Sequence, residues 1–189
     1  MAACRDLARM DRNIRAGVWA PLEGVQVFGK TLGIIGLGGI GAEVARIARG
    51  MGMEVIAWNR TRRTDANAKM VELDALLQKS DVVSLNLVLN DETRGFLDKT
   101  RIARMKPGAI LVNTARGALV DETALIEALN SGQIRHAALD VFHSEPLKAD
   151  HPLAPMENVT LSAHAAFRTL EASITLLRRA IDIVKRVQS

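Results

Sequence analysis

The chain has 189 residues, of which 48% are hydrophobic and 24% are charged. These fractions are near the averages for globular proteins, so they exclude a disordered or collagen-like chain. The longest stretch without a charge has twelve residues, Thr31 to Ala42, whereas a membrane-spanning helix needs roughly 20, so we expect no membrane contact. The net charge of +4 suits an anionic ligand, but a chain with no Tyr, four Phe and two Trp is not expected to bind nucleic acid.

The cysteine content and the N-terminus predict a cytoplasmic protein. Cys4 is the only cysteine, so it cannot form a disulfide within the chain. The first residues, Met-Ala-Ala-Cys-Arg-Asp, place charges where a secretory signal needs apolar side chains. We expect Cys4 to be a small buried residue without a chemical role.

An N-terminal helix and a linker come first along the chain. Apolar residues at helical spacing mark the helix: Ala3, Leu7, Met10 and Ile14. Residues 17–29, rich in Gly and containing Pro21, are typical of a linker.

Short β-rich runs then alternate with helical segments, which is the pattern of βαβ units and a parallel sheet. We predict six strands, at residues 31–35, 53–58, 81–85, 109–113, 137–141 and 158–161. The predicted fold class is therefore α/β, a Rossmann-type, doubly wound parallel sheet with flanking helices.

Two of the helices have specific signals. The helix after the first strand carries apolar residues at every third or fourth position: Ile40, Val44, Ile47 and Met51. We predict that this stripe faces the sheet. Farther along, Asp121 is a suitable N-cap for a helix over residues 122–130, and Gly132 is a suitable end.

The last predicted helix, over residues 168–189, has a wide apolar face. Its main row is Leu170, Ile174, Leu177, Ile181 and Val184, and a second row is Leu176, Ile183 and Val187. This face predicts burial against a partner subunit or against a domain that the chain does not encode. Packing on the chain's own sheet is the alternative.

The segment Gly36-Leu37-Gly38-Gly39-Ile40-Gly41 has the spacing G-x-G-x-x-G, directly after a predicted strand and before a helix. In that context the first glycine permits a tight turn, the second lets a diphosphate approach the backbone, and the third lets the helix pack on the strand. An ordinary strand-to-helix turn is the alternative. We predict that Gly36, Gly38, Gly39, Ile40 and Gly41 bind a dinucleotide, and that residues 1–189 form a single dinucleotide-binding domain: a lead-in (1–29), a core (30–165) and the C-terminal helix.

The residues after the second strand favour NADP(H), with NAD(H) as the alternative cofactor. NAD sites usually place Asp or Glu here, about 20 residues past the loop, to hold the ribose 2′-hydroxyl. This chain has no acid at that place but has four residues suited to a 2′-phosphate: Asn59, Arg60, Arg62 and Arg63. A solvated basic loop would explain the same charges.

Three side chains follow the later strands at the edge where open α/β sheets bind ligands. Arg116, Glu145 and His164 supply a cation for a carboxylate, a carboxylate partner and a proton donor, which is what carbonyl reduction beside a nicotinamide requires. Taken singly, each side chain is also explained by capping, a surface charge or an ordinary histidine.

Other residues near these strand ends complete the predicted site. We expect Thr114 and Ala115 to contact the cofactor, and Asp140 either to hold the nicotinamide amide or to cap a turn. His136, His143 and His151 have the pattern of surface or loop residues, and no spacing among them favours a metal site.

With these motifs in order, the sequence resembles the nucleotide-binding domain of the D-isomer-specific 2-hydroxyacid dehydrogenases. The matching segments are Gly29 to Gly36 with the glycine loop, Met105 to Ala109, Val112 to Gly117, Leu139 to Phe142, Glu145-Pro146 and the residues around His164. The resemblance implies that Arg116 binds substrate, that His164 is the acid/base with Glu145 as its partner, and that Asp140 lies near the nicotinamide.

The resemblance also shows departures. Ala163 stands where many members have Pro, and Asn86-Leu87 where many have a His-x-Pro pattern. The resemblance implies a substrate-binding lobe of on the order of 100 residues ahead of the first helix, and we expect this chain to lack it. The main hypothesis is a homodimeric NADP(H)-preferring reductase of a 2-oxo or 2-hydroxy acid. The alternative is a dinucleotide-binding fragment or sensor module without catalysis.

Overall fold

The computed structural model describes residues 1–61, 63–65 and 67–188 and has an α/β fold built on a parallel sheet. Within those residues the sheet has seven strands in the order β3-β2-β1-β4-β5-β6-β7. The strands are β1 (Thr31–Ile35), β2 (Glu54–Trp58), β3 (Lys69–Met70), β4 (Val82–Leu85), β5 (Ala109–Asn113), β6 (Ile134–Leu139) and β7 (Val159–Leu161). The chain changes direction across the sheet between β1 and β4, so the predicted doubly wound, Rossmann-type fold is confirmed.

The strand count differs from the predicted six because of β3. This strand has only two residues, Lys69 and Met70, and pairs with the end of β2. It therefore shows no apolar run in the sequence. The strand β6 begins at Ile134 rather than at the predicted residue 137, since Arg135 and His136 interrupt the apolar pattern.

Helices flank both faces of the sheet. In the described part of the chain they are α1 (Leu7–Arg15), α2 (Gly39–Gly50), α3 (Leu73–Lys79), α4 (Lys99–Arg104), α5 (Glu122–Ser131) and α6 (Leu170–Gln188). The predicted limits of α5 are confirmed to within one residue. The Asp121 side chain accepts a hydrogen bond from the N–H of Ala124, and Gly132 ends the helix in the left-handed conformation with φ 78°.

The helix α2 turns a different face to the sheet from the one predicted. Ile40 and Ile47 are 73% and 49% exposed, whereas Gly41, Ala45 and Ala48 are buried. Small side chains let the helix backbone approach the strands closely, so Ile40, Ile47 and Met51 lie on the outer side and only Val44 of the predicted stripe packs against the cluster. The predicted orientation of that stripe is therefore wrong for three of its four residues.

The sheet carries a hydrophobic cluster on each face. On one face Ile35, Leu85 and Leu111 pack with residues of α3, α4 and α5. On the other face Leu32 and Ile34 pack with α2 and with the N-terminal turn. The strands are thus fixed from both sides, which holds the carboxyl ends of the strands in register.

The lead-in segment is attached to the sheet by a buried histidine. Nδ1 of His136, which is 2% exposed, lies 3.1 Å from Oδ1 of Asp6, and its Nε2 lies 2.8 Å from Oγ1 of Thr160. The prediction that His136 is a surface residue is therefore wrong. Cys4 is buried, as expected, and residues 17–29 form no helix or strand.

The helix α6 does not pack on the sheet. Residues 170–187 are all exposed, including the apolar row that begins with Leu170 and Ile174. Of the two alternatives for this helix, packing on the chain's own sheet is wrong, and cover by a partner or a further domain stays a prediction. None of the helices described here combines the length and the apolar content needed to cross a membrane.

Candidate active site

The glycine loop forms an open cradle between β1 and α2. Gly36 has φ +100°, and a Cβ there would lie 2.5 Å from the carbonyl oxygen of Asn86. A Cβ on Gly41 would lie 2.2 Å from the oxygen of Gly36, so the third glycine permits the helix to meet the strand. By contrast, a Cβ on Gly38 or Gly39 would have nothing within 4 Å. The tight turn, the close packing and the open backbone at the start of α2 fit the diphosphate of a dinucleotide.

Asn59 joins this loop to the end of β2. Its Oδ1 accepts a hydrogen bond of 3.2 Å from the N–H of Leu37, and its Nδ2 donates one of 2.7 Å to the carbonyl of Thr61. Asn59 therefore fixes the glycine loop against the segment predicted to hold the ribose. This bracing contact links residues 22 positions apart, so the local sequence pattern could not reveal it.

The predicted 2′-phosphate residues differ in their surroundings. Arg60 is exposed and forms an ion pair with Glu92. Arg63 borders a cavity of about 360 Å³ with Thr64 and Asp65. Arg62 lies outside the described residues. The structure thus brings two arginines to the end of β2, one of which already has an acidic partner.

A cavity of about 400 Å³ runs from α2 to the ends of β4 and β5. Among the residues around it are Ile40, Thr114, Ala115 and Arg116. Three predicted cofactor residues and the predicted substrate-binding arginine therefore share one cavity. Asn86 and Leu87, the pair that departs from the His-x-Pro pattern, border the same space.

Asn113 shapes the turn that carries Arg116. The side chain of Asn113 is 1% exposed; its Nδ2 donates to the carbonyl of Arg116 at 2.9 Å, and its Oδ1 accepts from the N–H of Ala115 at 3.1 Å. Arg116 itself is exposed. Sequence reasoning gave Asn113 no role, although a polar residue that ends an otherwise apolar strand was the available signal.

Gly117 brings the loops after β5 and β6 together. A Cβ at Gly117 would lie 2.1 Å from the carbonyl carbon of Phe142 and 2.6 Å from the nitrogen of His143. Only a residue without a side chain permits this approach, and Arg116 is thereby held next to the loop that contains Glu145. The positive charge of Arg116 contributes, as a minor cause, to lowering the pKa of Glu145.

His164 and Glu145 are in direct contact. Nδ1 of His164 lies 2.7 Å from Oε2 of Glu145, and Oε1 of Glu145 accepts a hydrogen bond of 3.0 Å from the N–H of Phe142. The hydrogen bond with His164 and then that from Phe142 lower the pKa of Glu145, so this side chain is an ionised acceptor at neutral pH. Nδ1 of His164 must therefore carry the donated proton, which leaves Nε2 as the nitrogen available to a substrate.

A second cavity, of about 630 Å³, opens beside this pair. Phe142, Leu147, Leu161 and Ala163 line it together with His164 and Glu145. The His164–Glu145 pair is about one-third exposed, with 36% of each side chain accessible. The structure thus brings His164 and Glu145 together, whereas Arg116 borders the neighbouring cavity and its charge contributes to lowering the pKa of Glu145.

Asp140 organises the turn in which His164 lies. It is 3% exposed; its Oδ1 accepts hydrogen bonds from the hydroxyl of Ser162 and the N–H of Ala165, and its Oδ2 accepts one from the N–H of Ala166. Burial acts to raise the pKa of Asp140, but these hydrogen bonds outweigh it and the pKa is lowered. The contacts are those of the turn cap, one of the two roles expected for this residue.

Comparison with known proteins finds the same domain elsewhere. Residues 1–166 match the family model of the D-isomer specific 2-hydroxyacid dehydrogenase, NAD binding domain. A glyoxylate reductase of Aeropyrum pernix is 42% identical, over 96% of this chain and 58% of that protein. The crystal structure of a glyoxylate reductase from Paecilomyes thermophila superposes with a TM-score of 0.88 at 43% identity, over 92% of this chain and 54% of that one.

A further solved structure is an acyclic imino acid reductase in complex with NADPH and D-Arg. It superposes with a TM-score of 0.91 at 33% identity, over 99% of this chain and 61% of that one. The chain spans 58% and 53% of the two glyoxylate reductases of Aeropyrum pernix and Korarchaeum cryptofilum. With its glycine cradle, its strand order and this family match, the chain belongs to the D-isomer specific 2-hydroxyacid dehydrogenases and carries their NAD(P)-binding domain.

Proposed function

We propose that this chain supplies the cofactor site and the acid/base pair of an NADP(H)-preferring reductase that converts a small 2-oxo acid to its 2-hydroxy acid. The observation that carries the proposal is the 2.7 Å contact between His164 and Glu145 at the edge of an open cavity. This pair lies at the carboxyl edge of the sheet, where the glycine cradle also lies. Relatives named glyoxylate reductase and hydroxypyruvate reductase support the class of substrate.

The reacting residues have complementary roles. The dihydronicotinamide, when bound, supplies a hydride to the substrate's carbonyl carbon. The Arg116 guanidinium binds the substrate carboxylate, for which its planar fork is suited. Nε2 of His164 holds the proton that the carbonyl oxygen receives as it becomes a hydroxyl, and the Glu145 carboxylate orients the ring by accepting the hydrogen bond from Nδ1.

The cofactor contacts follow the two cavities and the cradle. We assign the diphosphate to the backbone of Gly36, Gly38, Gly39, Ile40 and Gly41. Thr114 and Ala115 are proposed to border the nicotinamide half, and Asp140 is proposed to lie near the ring while its carboxylate caps its own turn. In this assignment the backbone of Gly38 and Gly39 faces open space, and the Asp140 carboxylate keeps its hydrogen bonds within the turn.

Asn59, Arg60, Arg62 and Arg63 are the residues proposed to select NADP(H). Arg60 has an acidic partner in Glu92, but both side chains are more than two-thirds exposed. Exposed ion pairs of this kind contribute about 0–1 kcal/mol, so a 2′-phosphate can replace Glu92 as the partner of Arg60.

Titration and turnover test the function together. The purified chain is titrated with NADPH by calorimetry and then mixed with NADPH and glyoxylate, hydroxypyruvate or pyruvate, while the absorbance of the reduced nicotinamide is followed. Oxidation that is lost in His164→Ala supports the reductase. Tight NADPH binding without oxidation by any of the three acids contradicts catalysis by this chain and supports the cofactor-binding module instead.

Cofactor preference has a separate test. We expect tighter binding of NADPH than of NADH, and a smaller difference in Arg60→Gln and Arg63→Gln. Arg49→Gln serves as the matched control. It removes the same charge from an exposed side chain at the C-terminal end of α2, whereas the glycine loop lies at the N-terminal end. Equal binding of the two nucleotides by the unaltered chain would contradict the assignment of these arginines.

Exposed apolar side chains support the proposed homodimer. Trp19 and Phe28 are 86% and 70% exposed, and Leu7 and Ile14 of α1 are also exposed. Large apolar side chains exposed in this number are typical of a chain that is covered by a partner. Sedimentation of the chain tests the proposal: a dimer that dissociates in Trp19→Ser supports it, and a monomer at all concentrations contradicts it. We propose the cytoplasm as the compartment, because it is a reducing environment in which NADPH is present and a thiol stays unpaired.

A further inference from the structure

Asp140, the residue directly after β6, accepts hydrogen bonds from three successive N–H groups of the turn that contains His164. The carbonyl of Asp140 accepts from the N–H of His164 at 2.8 Å, and its carboxylate accepts from Ala165 and Ala166 at 3.0 and 2.8 Å. Asp140 thus contacts the turn on both sides of the acid/base residue. The orientation of its carboxylate decides whether the last two of these bonds form.

Ser162 is the side chain that fixes this carboxylate. Its hydroxyl lies 2.5 Å from Oδ1 of Asp140, the same oxygen that accepts from Ala165. Within the described residues it is the only side-chain donor to Asp140. Since Asp140 is 3% exposed, water cannot easily replace a lost donor, and without the hydroxyl Oδ1 would keep only the hydrogen bond from the N–H of Ala165.

The backbone of His164 depends on such support. His164 has φ +49°, in the left-handed region that residues with a Cβ rarely adopt. A conformation of this kind persists only where surrounding contacts determine it. Ala163, between Ser162 and His164, adds no ring restraint to the turn, so the hydrogen bonds to Asp140 carry this task.

We propose that Ser162 is a positioning residue for His164 that acts through the Asp140 carboxylate. Its hydroxyl holds the carboxylate toward the turn, the carboxylate holds the N–H groups after His164, and the ring is thereby presented to Glu145. The catalytic meaning of this role rests on the proposed function, but the geometric role does not.

The proton on Nδ1 of His164 gives a direct signal. In the chain labelled with ¹⁵N-histidine, NMR is expected to show a downfield Nδ1–H resonance that exchanges slowly with water because Glu145 accepts this proton. Ser162→Ala is expected to speed the exchange about tenfold, which corresponds to about 1.4 kcal/mol. Ser162→Thr keeps the hydroxyl, so its Nδ1–H exchange rate is expected to stay within about twofold of that of the unaltered chain. This variant separates loss of the hydrogen bond from a change of side chain as such.

The outcomes separate this proposal from the proposed function, since the signal needs neither substrate nor turnover. Ser162→Ala with a normal melting temperature and unchanged Nδ1–H exchange overturns the positioning role. Equal acceleration in Ser162→Thr overturns it as well, because the hydroxyl would then be irrelevant. Where the chain turns over a 2-oxo acid, Ser162→Ala is expected to lower kcat with little change in KM; a change in KM alone would contradict the proposal.

Discussion

The two ends of the sheet use polar residues in different ways. At the amino end, Oδ2 of Asp81 accepts a hydrogen bond of 2.9 Å from the N–H of Thr31, and its Oδ1 lies 2.7 Å from Nζ of Lys106. At the carboxyl end, Glu145 and His164 contact each other, yet each faces a cavity. Polar groups at one end satisfy one another, whereas those at the other end leave a side open to a ligand. Substitutions at the first end should therefore alter stability, and those at the second should alter binding and turnover.

Replacing His164 with Ala is the strongest test of this difference. The change removes the proposed proton donor, so kcat is expected to fall by about 10²–10⁴, while the melting temperature changes little. The assay follows the reduction of a 2-oxo acid by the chain, or by a chimera that adds the preceding segment of a glyoxylate reductase. His151→Ala, which alters a histidine outside both large cavities, is the control. An unchanged kcat would remove His164 from the mechanism.

The glycine cradle allows stability and binding to be separated at a single turn. Gly41→Ala is expected to cost about 1–3 kcal/mol of stability, since its Cβ meets backbone that must shift. Gly38→Ala has space for its Cβ and an ordinary φ of −84°, so it should fold normally. Its methyl group would occupy the place of the diphosphate and weaken NADPH binding about tenfold or more. Chemical unfolding and calorimetry measure the two effects, and a Gly38→Ala variant that binds NADPH normally would contradict the cradle.

At the amino end, Asp81→Ala is expected to lower the free energy of unfolding by about 1–3 kcal/mol without affecting NADPH binding. Asp81→Asn, which keeps one oxygen acceptor for Thr31, should lose less. Burial acts to raise the pKa of Asp81, but the contacts with Lys106 and Thr31 outweigh it and the pKa is lowered.

The same residue gives a pH test with a defined sign. With a folded pKa below the unfolded value of about 3.9, Asp81 stabilises the protein above about pH 4, and this contribution is lost as the pH falls through the folded pKa. Unfolding curves should therefore converge for the unaltered chain and Asp81→Ala at acidic pH. A difference that stays constant with pH would contradict the ion pair as its cause.

The smallest expected effect concerns His136, which lies within β6 between the two ends. Burial lowers its pKa despite the nearby Asp6, while Arg135 and Arg12 add to the lowering. The folded state thus binds its proton less readily than the unfolded state, so stability is lost as the pH falls below about 6.5. The melting temperature should drop by a few degrees on acidification, and His136→Gln should reduce this drop. An equal drop in the variant would assign it to other groups.

The sheet was predictable because its strands are continuous apolar runs separated by helical spacing. The strand β3 was not, since two residues such as Lys69 and Met70 carry no pattern. The packing face of α2 was also missed. Periodicity shows where apolar residues recur, but it does not show that Ala45 and Ala48, by their small size, allow the closest approach to the strands.

The candidate site shows the same division. The positions of these residues at the ends of β5, β6 and β7 predicted that Arg116, Glu145 and His164 would lie along one edge, and the structure has the last two in direct contact. Contacts between residues far apart in the chain, such as that of Arg60 with Glu92, have no local signal. The hydrogen bonds to Asp140 likewise depend on how two loops fold over each other, which residue identity alone does not specify.

The contact made by Gly117 limits how this site can diversify. Because hydrogen alone fits where Gly117 meets the loop after β6, no side chain can be added there without pushing Arg116 away from the loop that contains Glu145. Leu87 and Leu147, which line the two cavities, do not make this close contact and can change without closing it. Libraries that aim at new substrates should therefore vary those walls and keep position 117 constant.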